Sequence, residues 1–111
     1  MEIDPSPSRP DRRRRCIFGA VEYEWDPDKD RINREKHGVS FAEASTVFLD
    51  PLAATVRDDR HSIAEFRFRT TGYTAAHRLI IVAHADRHDR IRIITAREVT
   101  ARERRLYEQQ I

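Results

Sequence analysis

The stretch Asn33-Arg34-Glu35-Lys36-His37-Gly38-Val39-Ser40-Phe41 decides how this chain is read. It contains a helix end, a tight turn and a new helix start. Asp26 suits an N-cap, and Pro27 fits the first helical position, where no N–H is needed. Gly38 fits the left-handed residue that closes the helix. At about 100° per residue, Lys29, Asn33, Lys36 and His37 fall within one arc of roughly 100°. Two ammonium groups, an amide and an imidazole therefore share a face where burial alone would call for apolar side chains. A solvated face beside a turn is the ordinary alternative for so charged a helix.

Ser40 and Glu43 form a capping box that opens a second helix, with Val39 and Ala44 set for a hydrophobic staple. Phe41, Ala44, Val47 and Phe48 follow at helical spacing. Pro51 disfavours helix at Asp50, so this helix is expected to run to Leu49. The first helix carries polar groups and the second carries core.

Strand patterns flank the helical pair. Residues 17–25 alternate Val21, Tyr23 and Trp25 with Glu22 and Glu24. Ala53 to Arg57 is a short strand. From Ile63 to Thr71 the period is two: Ala64, Phe66, Phe68 and Thr70 face one way, and Glu65, Arg67, Arg69 and Thr71 the other. Gly72 is expected to begin a loop. Leu79 to Ala83 is a continuous apolar run that suits a central strand. A turn at 86–89 leads to a last strand through Ile91, Ile93 and Thr95. Thr100 and Glu103 form another capping box, opening a final helix through Tyr107. The order is strand, helix, helix, strands, helix. It predicts an α+β fold with an antiparallel sheet of about four strands and helices packed on it.

At 111 residues this is one domain, with 39% hydrophobic and 36% charged side chains, so the core must be economical. Residues 1–16 are rich in Pro, Ser and Arg without a period and are expected to form a disordered tail before a single domain at 17–111. The five arginines of that tail, set against Glu2, Asp4 and Asp11, account for the whole net charge of +2. The remainder is neutral, so any nucleic-acid contact must come from a local patch. All basic side chains except Lys29 and Lys36 are arginine. The lone cysteine, Cys16, allows no internal disulfide and fits a reducing cytoplasm. No stretch approaches the length of a membrane span, and no apolar segment follows the basic start as a signal peptide needs.

Several chemistries lack their signatures. His61, His77, His84 and His88 do not stand at metal-ligand spacings. Three glycines build no phosphate-cradling loop. There is no nucleophile elbow. What remains is a set of Lys, His, Arg, Glu and Tyr on elements that can converge: Glu65 and Arg67 on one strand face, Arg92 and Arg97 on the last strand, and Tyr107 two turns into the last helix. Each also has an ordinary structural role. Glu65 and Arg67 can form a weak ion pair, Arg97 can cap a carbonyl, and Tyr107 can be a core aromatic.

Trp25-Asp26, Lys29, Asn33, Lys36-His37-Gly38-Val39 and Phe41 resemble the signature of the BrnT toxins, small bacterial ribonucleases. The likeness continues through Phe48-Leu49-Asp50-Pro51, Asp58-Asp59-Arg60-His61-Ser62, Glu65 with Arg67, and Gly72. It closes with Ile91-Arg92-Ile93-Ile94-Thr95-Ala96-Arg97-Glu98, Glu103, Arg104 and Tyr107. Thr95 stands where the family usually has serine. The resemblance implies a RelE-like fold and RNA cleavage without metal or other cofactor. It also implies a neutralising antitoxin with a ribbon-helix-helix DNA-binding domain, through which alone the toxin reaches operator DNA.

RNA carries its own nucleophile, the 2′-hydroxyl. A protein cleaves it by placing a base for that proton, a cation for the phosphorane and an acid for the leaving oxygen. On this chain the expectation assigns Arg67 and Arg97 to the phosphate and His37 or Lys36 to proton transfer. Tyr107 or Glu65 stands in reserve, Lys29 and Asn33 position RNA or support the helix, and Arg92 contacts RNA. The competing readings are a non-catalytic co-repressor that docks to its DNA-binding partner and, third, a sequence-tolerant RNA binder.

Overall fold

A computed structural model describes residues 14–18, 21–61, 66–87 and 89–109. These form strands β1 (Arg14–Phe18) and β2 (Val21–Trp25), helices α1 (Pro27–His37) and α2 (Phe41–Ser45), then strands β3 (Ala54–Arg57), β4 (Arg67–Tyr73), β5 (Leu79–Arg87) and β6 (Arg90–Glu98), and helix α3 (Ala101–Glu108). The start of α1 follows the sequence: Asp28 N–H donates to the Asp26 carboxylate at 2.8 Å, and Pro27 opens the helix. Gly38 ends it at φ 72°, donating its N–H to the Arg34 carbonyl. Thr100 and Glu103 complete the capping box of α3.

The second helix departs from expectation. It is α-helical only to Ser45 and tightens into a 3-10 turn at Thr46–Leu49. The Ser45 and Thr46 hydroxyls donate to the Ala42 and Glu43 carbonyls at 2.7 and 2.6 Å, which competes with the helical ladder just where it narrows.

The sheet order is β1-β2-β6-β5-β4-β3, with β2 and β6 parallel and every other pair antiparallel. The expected RelE-like sheet of about four antiparallel strands is therefore corrected to six strands with one parallel pair. Local patterns find strands, but the relative direction of two strands far apart in the chain depends on the connections between them. The expected tail is corrected at its end, since β1 begins at Arg14 and pairs with β2; residues 1–13 lie outside the described set. The early part of the expected strand at 63–71, including Glu65, also lies outside it. Gly72 does not begin a loop. It pairs with Ile80 inside β4, and a Cβ there would stand 2.9 Å from both Ala53 Cβ and Val47 Cγ2. Close packing, not a turn, calls for glycine at that position.

One sheet face carries the core. Tyr23, Trp25, Val39, Phe41, Ala44, Val47, Ile80, Val82, Ile93 and Ala96 are buried together. Phe41 meets Trp25 edge-on at 6.3 Å, and Tyr23 stacks on Phe48 at 5.3 Å. His84 belongs to this layer. Its ring nitrogens bond Thr70 Oγ1 and Asp86 Oδ1, each at 2.8 Å, between the rings of Phe48 and Phe68.

Arg78, in the loop before β5, ties three elements together at one end. It donates from Nε to Glu43 Oε2 at 2.9 Å, from Nη1 to Glu98 Oε2 at 3.0 Å and from Nη2 to the Gly38 carbonyl at 2.9 Å. The guanidinium holds the Glu43 carboxyl below its ordinary range. This clamp fixes the turn that follows Lys36 and His37.

Candidate functional site

Strand β2 ends early. Its last residue paired with β6, Glu24, stands opposite Arg92, while β6 runs on to Glu98. Helix α1 occupies the edge that β2 leaves. Asn33 Nδ2 donates to the Ala96 carbonyl at 2.8 Å and to the Val39 carbonyl at 2.9 Å, and Asn33 Oδ1 accepts from Ala96 N–H at 3.2 Å. The polar residue on this face is thus a buried tie, and it turns Lys29, Lys36 and His37 outward along the sheet edge. None of these three forms an ion pair with a described residue.

Beside this tie the β5–β6 register shifts. Ala83 pairs with Thr95 and His84 with Ile93, leaving Ile94 between them as a bulge. Bulges bend a strand and re-aim its side chains. Ile94 lines three neighbouring hollows. The first, about 110 Å³, is formed by Asp26, Lys29, Arg67 and Arg92. The second, about 210 Å³, is formed by Lys29, Ile32, Lys36, His37 and Thr95. The third, about 270 Å³, is formed by Asp58, Arg67, Arg69, Arg97 and Thr95. Lys29 joins the first two, and Arg67 joins the first and third. Lys36 and His37 thus line one hollow and the guanidinium groups of Arg67 and Arg92 its neighbour, with Lys29 and Ile94 common to both.

The expected site residues do not all serve alike. Lys29, Lys36, His37, Arg67 and Arg92 converge on these hollows with exposed or half-buried side chains. Arg97 reaches the third, but its guanidinium forks onto Glu103 at 2.8 and 2.9 Å. That pairing, with the Thr100 N–H, holds the Glu103 carboxyl at about 2 and raises Arg97 above its ordinary value. Asn33 is taken up by backbone. Tyr107 lies away from Lys36 and His37: its hydroxyl donates to the Leu52 carbonyl at 2.9 Å, and its ring meets Tyr73 edge-on at 6.4 Å. Burial pushes its phenol up, so the hydroxyl stays protonated. Glu65 lies outside the described residues. Arg69, outside the expected site, also lines the third hollow, and the two-residue period of β4 places it on the face of Arg67.

Among the described residues no group of three or more His, Cys, Asp or Glu side chains is placed to hold a metal ion. The cluster offers several cations, one imidazole and two carboxylates at its rim, a combination that can grip an anionic backbone and exchange protons beside it.

Fold and hollow together define a small α+β domain with a cationic recess where a helix meets a bulged sheet edge. The family model for the ribonuclease toxin BrnT of type II toxin–antitoxin systems matches residues 25–103, and the chain belongs to that family. It is also similar to the crystal structure of the Brucella abortus ribonuclease toxin BrnT, with a TM-score of 0.54 and 22% identity over 68% of this chain and 92% of that one. At that identity the likeness speaks for the fold. No curated protein matches the chain. No helix among the described residues is long and apolar enough to cross a membrane.

Proposed function

We propose that the chain is a metal-independent endoribonuclease toxin that cleaves RNA by attack of the substrate's own 2′-hydroxyl. The observation that supports this reading is the adjacency of two hollows, one lined by Lys36 and His37 and the other by Arg67 and Arg92, which share Lys29 and Ile94. Arg67 and Arg92 grip the scissile phosphate and stabilise the charge that builds on its oxygens as the phosphorane forms. The His37 imidazole takes the 2′-hydroxyl proton, and the Lys36 ammonium gives a proton to the departing 5′-oxygen. The bond from the 2′-oxygen to phosphorus forms as the bond to the 5′-oxygen breaks, leaving a 2′,3′-cyclic phosphate and a 5′-hydroxyl. Lys29 holds the neighbouring phosphate. Arg97 contributes only when Glu103 releases it, and Asn33 acts by holding α1.

In this reading the toxin arrests translation and growth in the cytoplasm until an antitoxin binds it. That antitoxin carries a ribbon-helix-helix domain, and the toxin reaches operator DNA only through it. The test is cleavage of RNA in EDTA by the purified chain. Cyclic-phosphate ends are expected, with His37→Ala, Lys36→Ala and Arg67→Ala each losing about 10²–10⁴ in rate while the circular dichroism spectrum is unchanged. Parental rates in all three of these variants and in Arg97→Ala would sink the proposal. A chain that binds antitoxin yet neither cuts RNA nor arrests growth would be the co-repressor instead.

A further inference from the structure

Between the sheet and α3 lies a fourth hollow, of about 280 Å³, that the reaction above does not use. Strand β4 sets it in line with the others. Arg67, Arg69 and Thr71 alternate with Phe68, Thr70 and Gly72, so they share one face at intervals of about 6.8 Å. Arg67 lines the first and third hollows, Arg69 the third and fourth, and Thr71 the fourth alone. Ile81 is floor to both the third and the fourth. The recesses thus follow one another along the strand, each step comparable to the reach of one nucleotide in an extended single strand.

Their chemistry changes along the way. Around Ile94 the walls are cationic. In the fourth hollow Ala54, Val56 and Leu106 form the walls, and Arg69, Thr71 and the Glu103 carboxylate, which Arg97 neutralises, supply polar groups. Val56 and Leu106 are half exposed, at 53% and 50%. The Tyr107 hydroxyl is bonded away to Leu52, so what bounds this hollow there is ring. A charged grip followed by an apolar slot with a polar edge matches a nucleic-acid strand, whose phosphates are anionic and whose bases have apolar faces and hydrogen-bonding edges.

We propose that the hollow between Val56 and Leu106 receives a base of the RNA substrate outside the scissile dinucleotide, with the Thr71 hydroxyl and Arg69 on its edge, and so sets sequence preference. This rests on the ribonuclease reading. The test uses two variants, Leu106→Trp, which narrows the slot, and Thr71→Val, which removes the edge hydroxyl at constant shape. A randomised pool of 2′-O-methyl RNA, which cannot be cut, is selected on the full-length parent and on each variant. Cut sites in unmodified RNA are mapped in parallel. The parent is expected to favour particular bases at one fixed distance from the cut, and both variants to flatten that preference by about tenfold. Unchanged preference in both folded variants overturns the proposal, as does a parent that shows no preference beyond the scissile pair. It is equally overturned if the variants lose only relief by antitoxin, which would make the hollow a protein-docking surface. Selective binding of the uncuttable pool without cleavage of ordinary RNA would instead sink the nuclease reading and leave the base site standing.

Discussion

Asn33 and Ala96 exchange two hydrogen bonds, side-chain amide against backbone, as two paired strands would. The amide of α1 continues the pairing of β6 after β2 has ended, and its remaining N–H holds the Val39 carbonyl. Asn33→Asp removes the donors and sets a carboxylate against two carbonyls. It should destabilise the fold by about 3 kcal/mol, and Asn33→Ala by about 2 kcal/mol, since buried backbone groups lose their partners. Urea denaturation measures both. If RNA cleavage survives in the folded fraction of Asn33→Ala, Asn33 is a support and not a ligand.

Arg97 and Glu103 link the end of β6 to the first turn of α3 by a two-pronged ion pair. The Glu103 carboxyl is lowered from 4.5 to about 2. A depressed carboxylate stabilises the fold above its unfolded pKa, and that contribution is lost as pH falls through the folded value. Both side chains are partly exposed, so the pair is worth about 1 kcal/mol after screening. Parent and Glu103→Gln should therefore differ in urea midpoint at pH 7, and the gap should close between about pH 4.5 and pH 2.

Tyr107→Phe keeps the contact with Tyr73 and loses the bond to the Leu52 carbonyl. A loss of about 1 kcal/mol in stability is expected, with the cleavage rate in EDTA within about twofold of the parent. A drop of about a hundredfold in rate would return the phenol to the list of proton donors.

The two described glycines should respond for different reasons. Gly72→Ala drives a methyl group to 2.9 Å from Ala53 and Val47 and should cost about 1–3 kcal/mol through overpacking. Gly38→Ala meets nothing within 4 Å, but its φ of 72° strains an L side chain by about 1 kcal/mol. Thermal melts of the two variants separate the effects: Gly38→Asn should recover much of the loss, because asparagine tolerates the left-handed region.

Lys29 and Arg92 flank the first hollow with Arg67. Lys29→Ala and Arg92→Ala should each weaken binding of uncuttable RNA at low salt. Each should also lower the slope of log affinity against log salt by about 0.7, the share of one single-strand phosphate.

Local rules were sufficient for much of the chain. Asp26, Pro27 and Gly38 bound α1, and the Thr100–Glu103 box opens α3, because caps act on backbone groups within a few residues. The alternation on β4 already separated the face of Arg67 and Arg69 from the face of Phe68 and Thr70. The helical arc already gathered Lys29, Lys36 and His37. Tertiary structure alone decided which of these groups meet. It paired β2 parallel to β6, ended that pairing at Glu24 and seated Asn33 in the gap. It bulged β6 at Ile94 and drew Arg97 onto Glu103. The Tyr107 hydroxyl went to Leu52. A side chain's type and spacing follow from its neighbours in the chain. Its availability depends on which distant backbone carbonyls, carboxylates and aromatic rings pack against it, and only the folded chain brings those together.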